Sequence, residues 1–312
     1  SKLFQQALGE QVCNIGFDWV NGEGTNLQPL RDILERHAED FTPSLNIDWH
    51  DTSLENLMEL NELESRWTFN ISSLKRRLEG VNGGHLIEVG ARPNTGKTSF
   101  HASLVAGPGG FADQGANVVV LCNEEAWHRV GQRYMTAATG MTKDEIKLDV
   151  AKALKLYEPV RNNVRILDTS GRDMSYVERI CKTYKPDIVI LDMGDKFVDE
   201  GKTYAREDQA LKACAAHARQ IAKAYDCAVF YMSQLSAEAE GKTVLNMSMM
   251  EGSRTGKAAE ADLMVLVAKN PDIEGQEDAD PQRHLNIVKN KMNGWHGQVH
   301  CTLDAQTARY EA

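Results

Sequence analysis

The sequence contains no apolar run of the roughly 18 residues needed to cross a bilayer, so no membrane span is expected. Its N-terminus lacks the basic-then-apolar pattern of a secretory leader. No Cys-x-x-Cys pair occurs among the six cysteines, at positions 13, 122, 181, 214, 227 and 301. Cys122, Cys227 and Cys301 lie in apolar, strand-like runs. They read as small buried hydrophobes in a reducing compartment, which excludes a disulfide or zinc framework. Internal repeats and low-complexity tracts are also absent. Positive charge is scarce: 35 Lys and Arg stand against 45 Asp and Glu, a net charge of −10. That balance argues against a generic basic nucleic-acid binder. It leaves room for DNA held in a local groove or ring channel, where a few cations and backbone N–H groups from several subunits act together.

The 312 residues, 42% apolar and 26% charged, suffice for one large core and a smaller appendage. The chain is organised around His85-Leu86-Ile87-Glu88-Val89-Gly90-Ala91-Arg92-Pro93-Asn94-Thr95-Gly96-Lys97-Thr98. It reads as a short strand, a tight turn, and a helix opened by Gly96, Lys97, Thr98 and Ser99. This is the layout of a P-loop, whose backbone N–H groups wrap phosphates beside a helix N-terminus. Lys97 is placed to reach the β- and γ-phosphates, and the Thr98 hydroxyl to sit on Mg²⁺. Ala91 stands where the strict motif has glycine.

Residues 1 to about 65 show no parallel-strand pattern. Residues 26–38 predict a helix, with Asn26 as N-cap, Pro29 in the first turn, and Leu27, Leu30, Leu34 and Ala38 on one face. A second helix is expected from Ser53 to Glu64. Such a stripe must dock on something: its own domain, a neighbouring subunit or a partner. From about Arg66 the pattern becomes α/β. Apolar runs at 85–89, 118–122, 164–168, 187–192, 227–232, 262–267, 284–289 and 297–303 predict strands, and helical stretches separate the first five. The clearest helix runs from Ala205 to Tyr225. Fully apolar strands alternating with helices imply a parallel sheet covered on both faces. Short connections near the end imply an antiparallel finish.

Several strand ends carry polar groups. The run 187–191 ends in Asp192, positioned like the acid that holds Mg²⁺ in P-loop proteins. Asp195 and Asp199 lie further out. The run 118–122 leads into Glu124 and Glu125. One of these acids could polarise the attacking water, or the pair could cap the next helix. The run 228–233 ends in Gln234, a candidate sensor that bonds a phosphate and the adjoining loop. Residues 235–257, which include Lys242 and Glu251-Gly252-Ser253-Arg254-Thr255-Gly256-Lys257, read as a long functional loop. A phosphate-backbone contact through Arg254 and Lys257 is one reading, and a mobile surface loop the other. Lys289 and Lys291 stand two apart at a strand end, as trans-acting cations or as a solvated cluster.

Taken together, these residues resemble the RecA-like ATPase domain of DnaB-type replicative helicases, over about 69–303. The P-loop variant Ala91-Arg92-Pro93-x-x-Gly96-Lys97-Thr98 is characteristic of that family. The resemblance implies Glu124 as catalytic glutamate, with Arg133 nine positions on favouring it over Glu125. It implies Asp192 as the Mg²⁺-associated acid and Ser233-Gln234-Leu235 as the sensor. It places Glu251–Ala261 in the DNA-binding loop and Lys289-x-Lys291-Met292-Asn293-Gly294 as the trans-acting segment, with Lys291 where the family has arginine. The implied protein is a homohexameric translocase that uses ATP (or another NTP or dNTP) with Mg²⁺. It carries single-stranded DNA in a central channel, moves 5′ to 3′ and unwinds duplex. It would be cytoplasmic, in the host if phage-encoded. Residues 1–65 are then a linker that docks subunits, and the candidate contact for a primase or DNA polymerase. A strand-exchange ATPase, a nucleotide-switched loader or scaffold, and a packaging motor are alternative uses of the same core.

Overall fold

A computed structural model describes residues 2–22, 28–36, 52–55, 65–78, 80–198, 206–252, 256–271 and 280–312. The chain divides into two compact units, Ser1–Leu63 and Glu64–Ala312. In the first, α1 (Lys2–Val20) and α2 (Gln28–Arg36) pack on each other. Ile33 of α2 is buried and Leu30 half-buried. The proposed cap Asn26, and Leu27 and Ala38, lie outside the described residues. So does the predicted 53–64 helix, apart from Leu54 and Glu55, which are helical.

The second unit is built on a nine-stranded sheet. Its elements are β1 (Trp67–Thr68), α3 (Ser72–Leu78), β2 (Gly80–Val81), β3 (Leu86–Ala91), α4 (Lys97–Ala106), β4 (Val118–Cys122), α5 (Trp127–Thr139), α6 (Lys143–Leu148), α7 (Val150–Asn163), β5 (Val164–Asp168), α8 (Met174–Tyr184), β6 (Ile188–Asp192), α9 (Glu207–Ala224), β7 (Ala228–Gln234), α10 (Gly256–Glu260), β8 (Leu263–Lys269), β9 (Gln282–Asn290), β10 (Gly297–Asp304) and β11 (Arg309–Glu311). The spatial order is β11-β10-β9-β8-β3-β7-β6-β4-β5. Strands β8, β3, β7, β6, β4 and β5 run parallel, and β9, β10 and β11 continue the sheet antiparallel. The expected strands, parallel core and antiparallel end are all present.

Strand periodicity decides which face each residue serves. Ile87, Val89, Val118, Val120, Ile190 and Phe230 pack with Phe100 and Val105 of α4 and with Tyr134 of α5. Leu86, Val119, Leu121, Val189, Leu191 and Tyr231 pack with α8 and α9 on the other face. A third cluster joins Leu235, Leu245, Met249, Met250, Met264 and Leu266. The 235–257 stretch is therefore partly folded rather than an open loop. It holds 3₁₀ turns at Ala237–Ala239 and Met247–Met249, a bridge between Leu235 and Met250, and the start of α10. The thiols of Cys122, Cys181, Cys214, Cys227 and Cys301 are free and buried, and Cys13 is exposed. No described helix is long and apolar enough to cross a membrane.

Candidate nucleotide site

In-register pairing brings the polar strand ends together. Ala91 lies beside Gln234, and Cys122 beside Asp192, at the carboxyl ends of adjacent parallel strands. Ligands of open α/β sheets bind along this edge. The P-loop connects β3 to α4 through Asn94 (φ 60°) and Gly96 (φ 104°, ψ 25°). Gly96 is required twice over. Its φ is one that side chains rarely adopt, and a Cβ there would lie 2.6 Å from Leu303 and 2.8 Å from the Tyr310 hydroxyl.

The antiparallel extension braces this loop. Arg283 of β9 donates from Nε to the Thr95 carbonyl at 2.9 Å. The Tyr310 hydroxyl of β11 donates to the Gly96 carbonyl at 3.1 Å, and its ring meets Phe100 edge-on. Arg92 reaches sideways to Glu240 at 2.8 Å and to the Leu235 carbonyl at 2.9 Å, tying the loop to the chain after β7. Pro93 and Asn94 are exposed, while Thr98 and Ser99 are half-buried in the first turn of α4.

The charged side chains follow a definite pairing. Lys97 Nζ lies 2.9 Å from Glu124 Oε2 and abuts the Met193 sulfur. Arg133 of α5 grips both carboxylate oxygens of Glu125, one of them at 3.2 Å. Arg133 therefore occupies Glu125 and leaves Glu124 facing the P-loop. Asp192 is fully buried, and neither carboxylate oxygen has a hydrogen-bond partner. Burial pushes its carboxyl up, but His101, Lys97 and Arg133 outweigh that and hold it below the usual range. His101, on α4, is buried, with Nε2 3.8 Å from Asp192 and Nδ1 2.9 Å from the Tyr134 hydroxyl. Asn123 beside Glu124 is also buried with its amide unsatisfied. His101 and Asn123 escaped the sequence reading because neither belongs to a spaced motif.

A buried, unpartnered carboxylate beside the P-loop fits a hydrated Mg²⁺. Among the described residues no cluster of three or more His, Cys, Asp or Glu is arranged to hold a metal. That too suits Mg²⁺, which takes one or two protein oxygens and fills its shell with water and phosphate. Thr98 and Asp192 are the residues that would hold it.

The other expected residues are dispersed. Gln234 lies at the end of β7, half-buried, and its carbonyl accepts from Glu251 N–H at 3.1 Å. Lys242 is exposed and lines a cavity of about 290 Å³ with Arg92, Thr95 and Lys269. Glu251 and Gly252 are exposed, and Gly256 is buried. Ser253, Arg254 and Thr255 lie outside the described residues. Lys257 corrects the sequence reading: it does not reach solvent. Its side chain is fully buried, with Nζ 2.6 Å from Asp195, so it is in no position to touch a DNA phosphate.

Lys289 and Lys291 sit at the opposite edge of the sheet. Met264 and Leu263, at the start of β8, pair with Lys289 and Asn290. Lys289 Nζ donates to the carbonyls of Ala258 and, at 3.2 Å, of Ala259. Lys291 is about half exposed and lies 3.8 Å from Asp262, whose carboxylate also takes Arg219 and the Leu86 N–H. The length of β3, roughly 16 Å at ~3.3 Å per residue, separates this edge from the P-loop.

Fold and site together define a P-loop nucleotide-binding protein with a RecA-like sheet. The profile of the DnaB-like helicase C terminal domain matches residues 68–312, and the chain belongs to that family of NTP-hydrolysing replicative helicases. Solved structures share the fold. The isolated ATPase domain of one DnaB-like helicase superposes with a TM-score of 0.70 at 18% identity, covering 84% of this chain and 99% of that one. A second DnaB-like replicative helicase, described with its interactions with primase, gives 0.71 at 17%, covering 100% of this chain and 78% of that one. No curated protein matches the sequence significantly.

Proposed function

We propose that the protein is a ring-forming, ATP-driven translocase that encircles single-stranded DNA and unwinds duplex ahead of it. The observation that carries this reading is the separation of the cations from the nucleotide edge. Lys289 and Lys291 lie a full strand length from their own P-loop. Cations so placed serve a phosphate only on another subunit, which makes the complete site an interface and assembly a condition of activity. A hexamer with 5′-to-3′ movement is the assembly the family suggests.

The residues then divide the work. Backbone N–H groups of 92–98 and the N-terminus of α4 cradle the phosphates. Lys97 leaves Glu124 for the β- and γ-oxygens, an exchange of one charge-assisted contact for another. Glu124, so released, orients the attacking water and takes its proton. Thr98 and Asp192 hold Mg²⁺, which would neutralise charge between the β- and γ-oxygens. Lys291, the more exposed of the two cations, is the better placed to reach the neighbouring phosphate. Gln234 ends the strand beside the P-loop, and its carbonyl holds the chain at Glu251. Hydrolysis is thereby linked to the 235–252 segment, whose exposed Lys242, Glu251 and Gly252 are candidates to meet DNA. Opening a base-pair step takes about 1.4 kcal/mol, well within one hydrolysis cycle. Residues 1–63 are the candidate docking element for a neighbouring subunit, and for a primase such as the one solved with a DnaB-like relative.

The test is ATP hydrolysis with and without single-stranded DNA, for wild type and Glu124→Gln. Strong stimulation that the substitution abolishes, with nucleotide binding intact, supports the motor. An absence of stimulation points instead to a switch or scaffold. Stimulation that survives the substitution keeps the motor and moves the base to Glu125.

A further inference from the structure

Beneath the P-loop the sheet buries charge that the hydrolytic scheme does not use. Glu88 lies on β3, three residues before Ala91, between Tyr231 of β7 and Met264 of β8. It is fully buried, and Ser233 Oγ donates to its Oε1 at 3.0 Å. Close by, on α10, Lys257 is buried completely. Its ammonium pairs with Asp195 at 2.6 Å and donates to the Glu251 carbonyl at 3.3 Å. The Tyr231 hydroxyl donates to the same Asp195 carboxylate at 3.1 Å. The positive charge of Lys257 also acts on Glu88.

Stability alone does not account for this cluster. Removing an ammonium and a carboxylate from water costs several kcal/mol per ion, and apolar side chains of similar volume hold a core at least as well. What distinguishes the cluster is its connections. Asp195 lies in the turn Gly194–Lys196, directly after Asp192, the proposed metal ligand. That turn is tightly constrained. Met193 adopts φ 68° with its sulfur against Lys97, and a Cβ on Gly194 would stand 2.6 Å from the Tyr231 ring. Ser233 adjoins the sensor Gln234. The Glu251 N–H is held by the Gln234 carbonyl, and Leu235 bridges Met250. Lys257 thus stands where the P-loop strand, the turn after Asp192, the end of β7 and the foot of the 247–252 segment meet. Two buried carboxyls face one buried ammonium, so the cluster has two arrangements, with Lys257 on Asp195 or drawn toward Glu88.

We propose that Lys257, held between Asp195 and Glu88, is a positioning residue that couples the nucleotide site to the 247–252 segment. Displacement of the turn after Asp192 shifts the partner of the ammonium, and the ammonium carries the Glu251 carbonyl with it. The inference rests on the nucleotide site proposed above, but not on DNA binding. An apolar core at these positions would transmit nothing directional, whereas an ion pair exchanges between discrete partners.

The experiment is hydrogen–deuterium exchange of peptides spanning 247–260 in the full chain, with and without Mg²⁺, ADP and beryllium fluoride. In wild type, nucleotide should change exchange there at least fivefold. The triple variant Glu88→Gln, Asp195→Asn, Lys257→Met removes the charges together and strands none. It should bind the same nucleotide within about threefold of wild type, while exchange at 247–260 no longer responds. Should the triple variant not fold, Asp195→Asn alone carries the comparison, with the response expected to fall at least threefold. A response that persists in the variant that folds, or a wild type that binds nucleotide without any change at 247–260, overturns the inference. Failure of single-stranded DNA to stimulate hydrolysis would overturn the motor reading and leave this result standing.

Discussion

Lys97 and Glu124 are joined by an ion pair of 2.9 Å across the mouth of the P-loop, while Glu125 is held by Arg133. Adjacent acids thus have different partners and different expected phenotypes. Glu124→Gln should lower kcat by at least about 100-fold, the scale of a lost general base. It should also leave Lys97 without its resting partner, so nucleotide affinity should hold or rise. Glu125→Gln should leave the water-orienting group in place and lower kcat by less than tenfold. Steady-state hydrolysis with a fluorescent-nucleotide titration distinguishes them. The reverse order of effects would make Glu125 the base and Glu124 only a resting partner for Lys97.

Asp192 offers a separate test, because both its oxygens are buried without partners. If they await a hydrated Mg²⁺, nucleotide should raise the Tm of wild type by several degrees in Mg²⁺ and much less after chelation. At a ligand excess of 100 Kd, the linkage is worth about 2.7 kcal/mol. Asp192→Asn should abolish the Mg²⁺-dependent part and keep the chelated value. A thermal melt with ADP, in magnesium and in EDTA, reads both. Equal shifts with and without magnesium in wild type would remove Asp192 from the metal site.

The same contrast between local and assembled features explains what the sequence made readable. Gly96-Lys97-Thr98 could be placed because one contiguous stretch carries the strand, the turn and the helix start. Asp192, Glu124 and Gln234 could be placed because each follows a fully apolar strand, and strand ends of a parallel sheet share an edge. The antiparallel finish followed from short connections. The brace on the loop, by Arg283 and Tyr310, was not readable, since it depends on β9 and β11 folding back to β3 and α4. Helix α1 was missed because its apolar residues are spread around the helix rather than gathered in a stripe. Lys257 was misread because a lysine in a Gly- and Ser-rich stretch looks solvated. Its burial depends on Asp195 and Glu88, far away in sequence.

The opposite placement of Lys291 and the P-loop predicts complementation between subunits. Lys291→Ala should bind nucleotide normally and lose at least about 100-fold in kcat; a trans-acting arginine contributes on the order of 10³ or more, and lysine lacks its bidentate fork. Lys97→Ala should be inactive for a different reason, in its own P-loop. Mixed before assembly, the two inactive chains should recover activity at interfaces that join an intact P-loop to an intact Lys291. Hydrolysis measured across mixing ratios reads this as a maximum between inactive ends. A flat, inactive profile would mean that Lys291 does not act on a neighbour's nucleotide. Lys289→Ala, which frees the carbonyls of Ala258 and Ala259, should lower the Tm more than Lys291→Ala does.

Glu88 gives the last prediction, through pH. Burial pushes its carboxyl up to about 7, against the pull of Lys257 and the Ser233 hydroxyl and with the push of Asp195. Its value in the unfolded chain is the ordinary 4.5. Between those values the folded protein holds a proton that the unfolded chain has released. The contribution to stability is therefore complete below about 4.5 and is lost as pH rises through about 7. One proton over that window corresponds to a slope of about 1.4 kcal/mol per pH unit. Glu88→Gln removes this titration and keeps the shape of the side chain. Denaturant unfolding of both proteins from pH 5 to 8 should show wild type losing stability relative to the variant as pH rises to 7, then a constant difference. Parallel profiles would mean that Glu88 is already ionised throughout, as a permanent partner of Lys257, and that two charges rather than a shared proton hold the centre of the sheet.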